Sequence, residues 1–208
     1  MTNTTEAEPL VHPHKLDDDA LATLFTSGRT ANSFADVAVS KDELRAVWDL
    51  AKWAPTAANF QPMRTLFVQS AEGRMRLVEH MNEGNKAKTL AAPAVAVLAY
   101  DRGFHKHLPV TTPHLTALPG FFAENEGPRL DAARNNGWLQ AGYFVLAVRA
   151  EGLAAGPMGG FDSAAIDNEF FPGGDWGSFL VVNIGHPTED SYRDRLPRLQ
   201  HENVLRWA

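Results

Sequence analysis

The 208-residue chain predicts a mixed fold, α+β or α/β, and three observations carry that reading. Apolar, strand-like runs are interleaved with helically spaced apolar stripes. The helical stripes outnumber the strands, as expected where helices cover a sheet. No internal repeat or low-complexity run divides the chain, and its length suits one domain.

The elements follow in chain order. The first fifteen residues read as a flexible tail, leaving residues 16–208 as a single domain. Asp17, Asp18 and Asp19 precede Ala20, Leu21, Leu24 and Phe25. Acids ahead of such a stripe mark a helix start, and Gly28 marks its end. Ser40 with Glu43 forms a capping box. Behind it, Leu44, Val47, Trp48 and Ala51 share one face of a second helix, which Pro55 stops. Residues 64–69 read as a strand. Residues 71–80 read as a helix whose apolar members are Met75, Leu77 and Val78, and 83–90 as a shorter one. Residues 93–99 form the second strand. Residues 130–152 carry the longest helical pattern, apolar nearly all round after Trp138, which predicts a buried central helix or a subunit interface. Residues 153–158 suggest a short strand, 166–170 a helix and 177–185 the third clear strand. A basic tail follows, with Arg193, Arg195, Arg198 and Arg206.

Residues 101–128 break this regularity. They hold four prolines and three histidines with weak periodicity. An excursion of that length inside a compact domain is typically a lid or a binding loop.

Composition excludes several functions. The net charge of −6 disfavours general binding to nucleic acid or anionic lipid. Cysteine is absent, which removes disulfides, thiolate metal sites and cysteine nucleophiles and fits a reducing cytoplasm. The N-terminus shows no signal-peptide pattern, Asn3-Thr4-Thr5 reads as a sequon without use, and the longest apolar run, residues 90–100, is too short to span a bilayer. Phosphate-loop, dinucleotide, serine-hydrolase and zinc-protease motifs are all missing. His105, His107 and His114, flanked by Asp101 and Glu124, could ligate a metal, but ligands of that kind usually stand on rigid elements rather than in a proline-rich stretch. The expectation is that no metal is bound.

Four short segments carry a signal. They are Arg29-Thr30-Ala31-Asn32, the run from Ala54 to Pro62, the run from Glu83 to Lys88, and the run from Gly156 to Asp162. Arg195 and Arg198 belong with them. Arginines fork onto phosphates, carboxamides pair with a ring edge, and glycines admit a flat ring close to the backbone.

The phrases WAPTAANFQP, EGNKAKTLAAP and GPMGGFD, in this order, resemble the FMN-dependent nitroreductase family, and more closely its malonic-semialdehyde-reductase-like branch. The likeness runs from about Leu16 to the C-terminus. It implies an α+β fold with a mostly antiparallel central sheet flanked by helices, in an intertwined homodimer that holds FMN between subunits. By resemblance, Arg29 and Arg198 hold the FMN phosphate with Arg195 as helper, and Thr30 and Asn32 stand in the same loop. Thr56 and Asn59 reach the flavin of the partner. Asn85 and Lys88 meet the pyrimidine edge. Pro157, Gly159 and Gly160 line the face near N5, and Asn136 supplies an amide. The chain departs from many relatives at Thr56-Ala57, where they have serine after the proline, at Gly159, where they have an acid, and in a first loop without lysine.

The implied activity is hydride transfer from NAD(P)H through FMN to a small acceptor, such as malonic semialdehyde, a nitro compound or a quinone. No catalytic side chain is assigned. Phe104, His105, His107, Phe121 and Phe122 are the substrate-choice candidates in the 101–128 stretch. A non-catalytic FMN-storage module is the alternative, and a metal hydrolase built on the three histidines is the third reading.

Overall fold

The computed structural model describes residues 15–208. The expected tail and the sequon lie outside the described residues, Lys15 excepted. Four strands form one antiparallel sheet: β1 (Met63–Val68), β2 (Ala94–Asp101), β3 (Ala154–Met158) and β4 (Trp176–Gly185), in the order β1-β2-β4-β3. The fold is therefore α+β, with every strand pair antiparallel. β2 is buried along its whole length because it is apolar at every position up to Asp101. Its even members Ala94, Ala96 and Leu98 face one core, and its odd members Val95, Val97 and Ala99 face another. Each Val or Leu buried there contributes about 1.5–3 kcal/mol.

Nine helices stand among the described residues. On one face of the sheet lie α2 (Lys41–Ala51) and α7 (Glu126–Ala150), whose Leu44, Val47, Phe144 and Val148 join the even members of β2. The capping box on α2 is present: the Ser40 Oγ accepts from the Glu43 N–H at 3.1 Å, and Glu43 Oε2 accepts from the Ser40 N–H at 2.8 Å. On the other face, α3 (Ala71–Glu79), α4 (Glu83–Ala91) and α8 (Ser163–Phe170) cover the odd members, with Leu77 and Ile166 fully buried. Met75, expected among the apolar members of α3, points to solvent instead. The Asp162 side chain caps α8 by accepting from the Ala165 N–H at 3.0 Å. The remaining helices are short: α1 (Asp18–Leu21), α5 (Leu108–Thr111), α6 (Leu118–Glu124) and α9 (His201–Val204).

Three expectations need correction. The first helix passes after one turn into a π-helical turn, Ala22–Thr26, and Gly28 keeps an ordinary φ, so its glycine serves another purpose. α7 starts four residues before the periodic pattern does, with Pro128 tolerated in its first turn. The 101–128 stretch is not irregular. A 3-10 turn, Phe104–His107, then α5 and α6 pack onto a third core built of Phe60, Tyr100, Phe104, Leu108 and Phe122. Phe104 and Phe122 meet edge-on at 5.2 Å. These two rings belong to the core and are removed from the substrate-facing candidates.

Candidate functional site

β3 is an edge strand, which is why it accepts Pro157 without losing a ladder bond on its open side. The first segment crosses it directly. The Ala31 N–H donates to Ala155 O at 3.0 Å, and Asn32 N–H donates to Ser191 O at 2.8 Å. A side chain at Gly156 would strike the Ala31 carbonyl, 2.6 Å from the position of a Cβ. Glycine is needed there for close approach. The third segment joins the fourth in the same way: Gly160 O accepts from Asn85 Nδ2 at 2.9 Å and from the Asn82 N–H at 3.0 Å. Lys88 stands one helical turn beyond Asn85 on the same face of α4. Gly159 is exposed and Pro157 half-buried. Three of the four segments thus converge at the β3 edge.

The arginines converge there too. Arg29, Thr30, Asn32, Arg193, Asp194, Arg195, Leu196 and Arg198 line a cavity of about 280 Å³. Arg29 stacks 5.2 Å from the Tyr192 ring centroid and donates to Arg193 O at 3.2 Å. Arg195 donates to Thr26 O at 2.5 Å and to Gly28 O at 3.2 Å. Arg198 reaches only its neighbours' carbonyls, Leu196 O at 2.9 Å and Pro197 O at 3.2 Å. Among the described residues, none of these guanidiniums forms an ion pair with a carboxylate. Guanidiniums whose charges meet no carboxylate, gathered around one cavity, suit a phosphate.

The second segment lies elsewhere. It leads into β1, the opposite edge of the sheet. Three strand spacings separate the edges, about 14 Å. Several of its donors and acceptors are already engaged. Asn59 Nδ2 donates to Thr111 O at 2.8 Å and its Oδ1 accepts from Gln61 Nε2 at 2.8 Å. Thr56 Oγ1 accepts from the Gln61 N–H at 3.2 Å, leaving the hydroxyl hydrogen free to donate. Asn136, on α7, accepts from the Ala57 N–H at 2.7 Å and donates to Ala132 O at 2.8 Å, so both ends of its amide hold protein. Ala58, Asn59 and Gln61 stand at φ 40°, 55° and 46°, a left-handed run without glycine. Such strain persists only where surrounding bonds enforce it.

Among the described residues, no group of three or more His, Asp or Glu side chains is placed to share a metal ion. His107 Nε2 stands 3.5 Å from Asp101 Oδ2, a carboxylate already bound to Arg64 Nη2 at 2.6 Å. Burial, then the nearby Arg129 and Lys106 charges, hold the His105 imidazole below its usual range. Of the substrate-facing candidates, Phe121 and His107 remain exposed. Sequence reasoning missed Tyr192 and Arg149. Arg149 carried a signal, as the one charged residue in the apolar run 139–150.

Fold and site together define an α+β sandwich that gathers unpaired guanidiniums and carboxamides at one sheet edge. The chain belongs to the nitroreductase family, whose pattern matches residues 28–186. A Streptomyces coelicolor protein, provisionally named an NADH dehydrogenase/NAD(P)H nitroreductase, is 55% identical over 194 residues, 93% of this chain and 96% of the relative. A Leptothrix cholodnii protein of the same provisional name is 47% identical, over 92% of this chain and 97% of its own. Among solved structures, a provisional nitroreductase from Exiguobacterium sibiricum in complex with FMN superposes with a TM-score of 0.81 at 20% identity, covering 93% of this chain and 99% of its own. A Bacillus subtilis neighbour, also provisionally a nitroreductase, superposes with a TM-score of 0.82 at 21% identity, covering 91% and 99%.

Proposed function

We propose that the protein is an NAD(P)H-dependent FMN oxidoreductase that reduces a small carbonyl, nitro or quinone compound. One observation carries the reading: Arg29, Arg195 and Arg198, without carboxylate partners among the described residues, line one cavity beside the β3 edge. The donor set fits FMN. The guanidiniums suit its phosphate, and Thr30 and Asn32 line the same cavity. Asn85 and Lys88 offer an amide and a cation to the pyrimidine edge, and Pro157, Gly159 and Gly160 offer backbone to the ring face. When bound, the flavin supplies hydride acceptance and donation. The protein's part is to orient it and to stabilise negative charge on its reduced form, a role we assign to Lys88. The FMN held by the Exiguobacterium neighbour and the NAD(P)H in the relatives' names support this reading.

A second copy of the chain completes the site. Thr56 precedes β1, the far edge of the sheet from the loop that carries Arg29, and that separation supports a flavin shared across a dimer. The exposed Trp138, Leu139 and Tyr143 of α7, with Leu196, Leu199 and a 90% exposed Trp207, provide the apolar surface for it.

The test is spectroscopic. Protein incubated with FMN and freed of excess is expected to be yellow, and to bleach within seconds on anaerobic mixing with NADH or NADPH. Malonic semialdehyde, a nitroarene and a quinone, offered separately, then identify the acceptor by restoring the colour. Protein that stays colourless ends the flavin reading. A yellow protein that neither nicotinamide bleaches is a flavin store rather than an enzyme.

A further inference from the structure

The apolar run 139–150 ends on its one charge, Arg149, in the last turn of α7. Helix C-termini favour a cation, so a local reason for an arginine exists. That reason does not account for where the guanidinium goes. Its Nη1 donates to Leu24 O at 3.0 Å, inside the π-helical turn that leads to the first loop. The rest of the group lies against Gly28, where a Cβ would overlap it. Any side chain at position 28 therefore has to displace the end of the Arg149 side chain.

On the other side of Gly28, its carbonyl accepts from Arg195 Nη2 at 3.2 Å. Two guanidiniums therefore straddle one residue, and the next residue is Arg29. Arg149 and Arg29 also line a common cavity of about 290 Å³, with Tyr192 in its wall. Arg149 forms no ion pair among the described residues. Burial makes its positive form costly; Tyr192 offsets part of that cost and the Arg195 charge adds to it. A cation held among cations, without a carboxylate, is stabilised by an anion that arrives from outside.

We propose that Arg149 is a further binding determinant of the phosphate end of the site, fixing the Gly28–Arg29 loop from behind and adding a charge that favours a phosphorylated flavin over its uncharged parent. This rests on the flavin reading above. It assigns a role to a residue that contacts the first loop rather than the ligand face, so Arg149 is a positioning residue.

The test compares FMN with riboflavin, which share the ring and differ in the phosphate. Dissociation constants are measured by flavin-fluorescence titration at one fixed salt concentration for wild type, Arg149→Met, Arg149→Lys and Gly28→Ala. Arg149→Met is expected to weaken FMN about tenfold while leaving riboflavin within about twofold. Arg149→Lys, which keeps the charge, is expected to recover most of that loss. Gly28→Ala, which displaces the guanidinium without removing it, is expected to weaken FMN selectively as well. Equal weakening of both ligands marks Arg149 as a prop for a helix end and overturns the proposal, as does no change in either. If Arg149→Met fails to fold by circular dichroism, Gly28→Ala and Arg149→Lys decide it by the same ratio. A wild type without preference for FMN over riboflavin overturns the phosphate reading itself, a result distinct from any variant's.

Discussion

The two edges of the sheet solve opposite problems. At the β3 edge, guanidiniums stand exposed around a cavity without a carboxylate partner among the described residues. At the β1 edge, the Thr56–Gln61 loop has engaged nearly every polar group it owns, and it holds three left-handed residues in place by doing so. The difference separates two kinds of site residue. An arginine with no carboxylate partner is available to a ligand. A carboxamide satisfied at both ends supports backbone and shapes the site from outside. Asn59 and Asn136, ligand contacts by resemblance, also clasp backbone and side-chain groups of the protein in the structure.

The comparison breaks first at Arg29. Arg29→Ala is expected to weaken FMN binding about 10- to 100-fold, the loss of one or two charge-assisted bonds, with the melting temperature of the flavin-free protein nearly unchanged because the side chain is exposed. Titration and thermal melting on the same sample check both halves. A fall in melting temperature matching the loss of affinity would make Arg29 a clasp as well. Asn136→Ala tests the other edge. It removes the acceptor for Ala57 N–H, and should cost about 1–2 kcal/mol, or about 2–8 °C in melting temperature, while the preference for FMN over riboflavin stays intact. The smallest effect is expected at Ala58, whose φ of 40° and ψ of 36° a glycine adopts without strain. Ala58→Gly should stabilise by up to about 1 kcal/mol, read as a rise of a few degrees. A fall instead would mean that the entropy glycine adds to the unfolded chain outweighs the strain it removes.

Much of the fold is legible in the sequence because strands and helices announce themselves by local periodicity. The strand 93–99 matches β2 within two residues at each end, and the Ser40–Glu43 box marks the start of α2. The short helices between 104 and 124 were hidden, since prolines and histidines obscure their period and the Phe60, Phe104 and Phe122 cluster that holds them joins distant parts of the chain. The site was half legible. Asn85 and Gly160 stand out by residue type and are joined by a hydrogen bond, while Arg29 lies two residues before Ala31, which bonds β3. Arg149 gave only the signal of a lone charge in an apolar run, which a helix end explains equally well.

By itself, the sequence determined the element types, the basic and amide-rich segments, and the absence of thiol chemistry, because each is a matter of composition or of spacing within a few residues. Tertiary structure alone decided which of those segments share an edge and which polar groups are already spent. Such pairings join residues more than a hundred positions apart, as Arg149 with Leu24 does, and the order of strands in a sheet leaves no local periodicity by which to read them.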